Sequence, residues 1–98
     1  MANVLSEAEA GIVFGTEVTL VRPALDIKRE TGAKVWLSLS GDRCAPIKLK
    51  FDRAGYNHYD CVYAYCFKLP SGEELWLEFS DELTTFKRIE ILRIIMEW

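Results

Sequence analysis

Hydrophobic and polar residues alternate along much of the chain, which is the pattern of strands that bury only one face. Residues 46–52 show the alternation most clearly, because Lys48, Lys50 and Asp52 are separated by apolar residues. Residues 59–69 are apolar on both faces, which indicates a central strand. The same reasoning predicts further strands over residues 16–22, 34–40 and 73–79.

Two turns separate the later strands. Residues 53–58 (RAGYNH) contain glycine and asparagine and are predicted to form a loop. The stretch from Leu69 to Glu73 contains Pro-Ser-Gly between two apolar runs, which predicts a hairpin.

The final stretch, residues 80–98, is the longest segment with helical periodicity. Ser80 is a suitable N-cap, and Asp81 and Glu82 favour the positive end of the helix dipole. The pattern therefore predicts a helix over residues 81–97. Its apolar side is wider than the stripe of about 100° that a surface helix needs, so the sheet, a second copy of the chain or a partner covers the excess.

Together these elements predict an α+β fold in one compact domain over residues 1–98. Ser6 and Glu9 form a capping-box pattern and Gly11 is a stop signal, so a short helical turn is expected over residues 7–10. About five antiparallel strands then follow as a β-meander over residues 12–79. We expect a curled sheet or small barrel, closed by the C-terminal helix.

Composition and charge narrow the class of protein. Half of the 98 residues are hydrophobic and 28% are charged, which is typical of one globular domain. No apolar run approaches the roughly 20 residues of a membrane span, and the N-terminus lacks the basic and apolar regions of a signal peptide. The chain is therefore expected to be cytoplasmic. The net charge is −3, but residues 22–53 carry eight Lys/Arg against four Asp/Glu.

The cysteines and the single histidine suggest two kinds of reactive site, a zinc site and a cysteine nucleophile. Zinc binding needs four converging ligands, but no spacing in the chain is Cys-x-x-Cys, so no metal site is predicted. A nucleophilic Cys61 beside His58 and Asp60 lacks a visible group that lowers the thiol pKa. We therefore predict neither an enzyme nor a cofactor. The candidate zinc ligands were Cys44, His58, Cys61 and Cys66.

Two binding functions remain. A nucleic-acid-binding small barrel would combine a basic groove with aromatic stacking platforms. The basic patch for that function comprises Arg43, Lys48, Lys50 and Arg53. Binding to another protein is favoured instead, because Trp36 and Trp76 lie on the side opposite their strands' leucines and aromatic residues are enriched at interfaces. The predicted partner-binding residues are Trp36, Tyr56, Tyr59, Trp76 and Trp98.

The sequence thus predicts a small protein that binds another protein as an adaptor, regulator or stoichiometric inhibitor. A nucleic-acid-processing complex is one candidate partner, and a homodimer through the C-terminal helix is a second expected association. Direct binding to nucleic acid is the alternative, and no membrane association is expected.

Overall fold

The computed structural model describes residues 3–21, 34–37 and 46–98. Its main element is one antiparallel sheet with the strand order β3-β6-β5-β4-β2-β7, and β1 pairs separately with β4. Two helices complete the described chain. The elements are β1 (Asn3–Val4), α1 (Glu7–Ala10), β2 (Glu17–Leu20), β3 (Lys34–Leu37), β4 (Ile47–Asn57), β5 (Val62–Lys68), β6 (Glu74–Ser80), α2 (Thr85–Ile95) and β7 (Met96–Glu97).

The α+β class and the curled antiparallel sheet with a C-terminal helix are confirmed. Among the described strands the sheet does not close into a barrel, since β3 and β7 end the order on opposite sides. No helix within the described ranges has the length and apolar character that a membrane crossing requires.

Strand order corrects the predicted meander over residues 12–79. Only β4, β5 and β6 follow one another as neighbours, whereas β2 pairs with β4 and β3 pairs with β6. Consecutive strands β2 and β3 therefore lie on opposite sides of the β4–β5–β6 unit. Alternation identifies a strand but carries no information about which strand lies beside it.

Strand β4 is longer than predicted. Residues 53–57, which were predicted to be a loop, continue the strand because they pair with β5, and Gly55 and Tyr56 also pair with β1. A change of register between Phe51 and Arg53 marks a β-bulge. The turn falls later, over residues 58–61, so β5 begins at Val62 rather than at residue 59.

Strand β5 lies between β4 and β6, as predicted for a strand that is apolar on both faces. Tyr65, Cys66 and Phe67 are all fully buried. The aromatic rings of Tyr65 and Phe67 pack against Phe51 at centroid distances of 5.9 and 5.4 Å. Leu92 and Ile95 of α2 belong to the same hydrophobic core, so α2 covers this side of the sheet.

Helix α2 begins four residues later than predicted and ends before residue 97. Ser80 ends β6, where it pairs with Val62, and Thr84 is the N-cap that accepts a hydrogen bond from the Lys87 amide. After Ile95 the chain becomes extended, and Met96 and Glu97 pair with β2.

The first helical turn is confirmed at Glu7–Ala10, with both hydrogen bonds of the capping box between Ser6 and Glu9. Gly11 follows in the left-handed region at φ 80°, where its amide donates to the Glu7 carbonyl. The predicted hairpin turn is also present, because the Leu69 amide donates to the Glu73 carbonyl at 2.9 Å.

Candidate functional site

The candidate site lies on the side of the sheet that faces away from α2, which we call the outer face. Alternation along β4 places Leu49 and Phe51 in the core, so Lys48 and Lys50 project from the outer face and are exposed. Lys68 lies on the same face, because its neighbour Phe67 is in the core. The register pairs Lys50 directly with Lys68.

These three lysines line an open cleft of about 700 Å³, which we call the lysine cleft. Glu17 lies opposite Lys50 on β2, and the Lys68 Nζ is 3.8 Å from a carboxylate oxygen of Glu74. Lys48 and Lys50 have no ion pair or hydrogen bond with any residue of the described ranges. The cleft therefore carries surplus positive charge. Its remaining lining comprises Val18, Thr19, Leu49, Leu69 and Pro70.

A polar cluster adjoins the lysine cleft at the β-bulge of β4. The Arg53 guanidinium contacts the Asp52 carboxylate and donates to Glu74 at 3.0 Å. The Cys66 thiol donates to the same Glu74 oxygen at 3.3 Å. Hydrogen bonds from Cys66 and Arg53 lower the pKa of Glu74, so this carboxylate stays ionised and holds the cluster together.

Trp76 extends the outer face beyond this cluster. Its ring lies under the Arg53 guanidinium, with 5.1 Å between the guanidinium carbon and the ring centroid. The register places Trp76 beside Cys66 on one side and Trp36 on the other. Arg53, predicted as part of a basic patch, therefore stacks on a predicted partner-binding aromatic residue. Arg43, also predicted in that patch, lies outside the described residues.

The other predicted aromatic residues lie elsewhere on the molecule. Tyr56 belongs to the core side, where its ring packs 5.1 Å from that of Tyr63 and its hydroxyl donates to Asp81. This hydrogen bond to a carboxylate raises the pKa of Tyr56 to about 12. Tyr59 is 81% exposed in the turn after β4, and Trp98 lies against the Arg93 guanidinium at 4.4 Å. The structure thus does not gather the predicted aromatics into one surface.

The considered zinc ligands do not converge within the described part of the chain. His58 and Cys61 lie in the turn between β4 and β5, whereas Cys66 lies in the middle of β5; Cys44 is outside the described residues. The described donor atoms that do approach within 4.8 Å of one another belong to Asp52, Cys66 and Glu74. This donor set does not fit a metal, because Arg53 already binds both carboxylates and the raised pKa of the Cys66 thiol keeps it protonated.

Cys61 and His58 do not form a catalytic pair in the turn, because the thiol does not face the imidazole ring. The Cys61 thiol is directed at the backbone carbonyl of His58, at 3.8 Å, and not at its ring. The His58 ring packs on Tyr59 instead, with 4.5 Å between the ring centroids.

Burial and the hydrogen bond to Glu74 raise the pKa of Cys66 to about 12. The reactive form of a cysteine is the thiolate, so Cys66 should resist alkylation in the folded protein at pH 8, whereas the exposed Cys61 should react. Iodoacetamide labelling followed by peptide mass mapping measures both sites, and labelling in denaturant is the control. Rapid modification of Cys66 in the folded state would contradict its burial and its raised pKa.

The raised thiol pKa also has a consequence for stability. In the unfolded chain Cys66 ionises near its ordinary pKa of 9.0, whereas the folded form keeps its proton to about pH 12. Between these two pH values the unfolded state binds fewer protons than the folded state, so the free energy of unfolding falls as the pH rises. The stabilisation by the Cys66 thiol is therefore fully present below pH 9 and is lost as the pH approaches 12.

Comparisons with known proteins do not assign a family. No protein-family model matches the chain, and no solved structure matches it. The chain is similar to Beta-toxin Im-2 from Isometrus maculatus: the two are 29% identical over 55 residues, which are 55% of this chain and 81% of that protein. This identity is too low to establish membership of a family, so the properties of the outer face carry the functional conclusion.

Proposed function

We propose that this protein is non-catalytic and acts by binding another protein through the outer face of its sheet, as an adaptor, regulator or stoichiometric inhibitor. The observation that carries the proposal is the direct pairing of Lys50 with Lys68 in an open cleft. Like charges directly opposite each other destabilise a sheet. A partner that supplies negative charge at this position would relieve the repulsion, which Glu17 and Glu74 offset only in part.

The neighbouring Arg53–Trp76 stack supports the same proposal. Arginine and tryptophan are both enriched among the residues that dominate binding energy at protein interfaces. The lysine cleft and this stack adjoin on one face, so one partner can contact both. Positive charge at one end of such a surface steers an oppositely charged partner and increases its association rate.

The positions of the tyrosines favour a protein partner over nucleic acid. Single-strand binding requires aromatic rings beside the basic groove that are free to stack on bases. Trp76 adjoins the lysine cleft, but the Arg53 guanidinium already lies over its ring. Tyr56 instead packs on the core side. Tyr59 lies in the turn that follows β4, whereas Lys48 lies at the start of that strand. The net charge of −3 also opposes general attraction to phosphate backbones.

The test compares two charge reversals in affinity capture from nuclease-treated lysate of the source cells. The double variant Lys48→Glu/Lys50→Glu alters the lysine cleft, whereas Lys87→Glu alters an exposed lysine of α2 that belongs to the opposite side of the molecule. We expect one protein to be retained in fixed stoichiometry by the wild type and by Lys87→Glu, with about a tenfold loss in the double variant.

Equal retention by all three proteins would refute the outer face as the binding surface. Retention from untreated lysate that is lost when the lysate is treated with nuclease would support the nucleic-acid alternative. Cytoplasmic localisation stays a prediction of its own. So does the homodimer through α2, which is supported by two apolar side chains on the solvent side of the helix: Phe86 is 76% exposed and Ile94 is 47% exposed.

A further inference from the structure

We infer that the lysine cleft binds an extended acidic segment of the partner, with carboxylates at alternate positions along that segment. This inference rests on the proposed function and specifies the chemistry of the partner. It follows from the spacing of the lysines, the shape of the cleft and the absence of charge partners for Lys48 and Lys50 among the described residues.

The spacing of the lysines matches that of an extended chain. Lys48 and Lys50 are two residues apart on the same face of β4, which separates their attachment points by about 6.7 Å. Alternate side chains of an extended peptide have the same repeat. A segment that lies along β4 can therefore place one carboxylate beside each lysine without changing its backbone conformation.

The third lysine extends the positive charge from β4 to β5. Lys68 is the register partner of Lys50, so their Cα atoms are about 5 Å apart. Glu74 engages Lys68 only at 3.8 Å, which is a weak ion pair at a partly exposed position. Glu17, on β2, bounds the positive region on its other side and disfavours a carboxylate placed over β2.

The walls of the cleft favour a peptide over a small anion. A volume of about 700 Å³ exceeds what one carboxylate or phosphate group needs, and the exposed Pro70 adds apolar surface beside Lys68. Since neighbouring side chains of an extended segment point to opposite faces, the carboxylates face the lysines and the residues between them point away from the sheet.

The experiment measures fluorescence polarisation of two labelled peptides with equal charge and composition. In the first, aspartate alternates with alanine; in the second, the aspartates form one block followed by the alanines. We expect the alternating peptide to bind about tenfold more tightly at low salt, and the Lys48→Gln/Lys50→Gln variant to remove this preference. Lys87→Gln is the matched control and should bind both peptides as the wild type does.

Each other outcome overturns the inference in a distinct way. Equal affinity for the two peptides would show attraction to any polyanion, without recognition of an extended pattern. Tighter binding of oligothymidylate than of either peptide would identify a nucleic-acid surface and would overturn the proposed function as well. If neither peptide binds while capture of the partner still requires Lys48 and Lys50, the acidic segment is wrong and the proposed function stands.

Discussion

Replacing Arg88 with methionine is expected to lower the free energy of unfolding by about 3 kcal/mol. Arg88 is 3% exposed, and its guanidinium donates to the backbone carbonyls of Glu9 and Leu83 at 2.8 and 2.9 Å. It also donates to the Tyr65 hydroxyl at 2.9 Å and lies 3.9 Å from the centre of the Tyr63 ring. One side chain thus joins α1, β5 and the start of α2.

The expected loss of stability in Arg88→Met depends on the buried hydrogen-bond acceptors that remain after the guanidinium is removed. Removing both members of a buried ion pair can be neutral, because no charge or polar group remains unsatisfied. Arg88 has no carboxylate partner among the described residues, and its four acceptors, two backbone carbonyls and the hydroxyls of Tyr65 and Thr85, all remain after the substitution. Methionine keeps the apolar stem, so the loss reports chiefly the hydrogen bonds that Arg88 donates. The Glu9 carbonyl keeps one partner, because it also accepts from the Thr85 hydroxyl at 3.2 Å.

Urea unfolding measures the effect, and Lys87→Met is the matched control. Lys87 is the preceding residue of the same helix but its side chain is 59% exposed, so its replacement should change stability by less than about 0.5 kcal/mol. An Arg88→Met protein as stable as the wild type would mean that the desolvation of the guanidinium outweighs its hydrogen bonds.

Replacing Gly11 with alanine is expected to lower the free energy of unfolding by about 3 kcal/mol, for two separable reasons. Gly11 ends α1 with φ at 80°, which an alanine adopts only with strain. A Cβ at this position would also lie 2.6 Å from Ile89 Cγ1 and 3.0 Å from Thr85 Cγ2. Ile89 therefore has to shift, either by a change of its side-chain conformation or by a movement of α2.

Gly15→Ala separates these two contributions. Gly15 has nearly the same φ, 83°, but a Cβ there meets no atom within 4 Å. Its replacement should report backbone strain alone, roughly 1 kcal/mol. Thermal or urea unfolding of both variants gives the difference. Equal losses would show that Ile89 and Thr85 adjust without measurable cost.

Features encoded within a few residues were predictable from the sequence. The capping box of Ser6 and Glu9 and the turn after Leu69 depend on local hydrogen bonds, and both are present. Alternation correctly placed Lys48 and Lys50 on a solvated face, because burial of one side of a strand determines where the other side points.

The start of α2 was mispredicted because two segments carry similar N-cap signals. Ser80 and Thr84 both have hydroxyls that accept an amide hydrogen bond, and Ser80 accepts one from Glu82 within a turn. Pairing of Ser80 with Val62 keeps it in β6, so a contact with a residue distant in sequence decides between the two.

The sequence did not predict which residues meet on the outer face, because that depends on the register between strands and the pattern of a single sequence does not give this register. Lys68 was not included in the predicted basic patch, although its alternation with Phe67 was readable from the sequence. Only the pairing of β4 with β5 brings it opposite Lys50, and the bulge at Asp52 brings Arg53 to Glu74 and Trp76. Long-range pairing therefore created the site from residues that are individually unremarkable in the sequence.

The pairing of β2 with β7 constrains the order in which the molecule is built. Leu20 pairs with Met96, so one hydrogen-bonding edge of β2 waits for a segment that is synthesised much later. The hairpins of β4, β5 and β6 join neighbouring segments and close with little loss of chain entropy, whereas the β2–β7 pairing closes a loop that spans most of the chain. During translation β4 through β6 can assemble first, and β2 is completed as a strand only after α2 has folded back across the sheet.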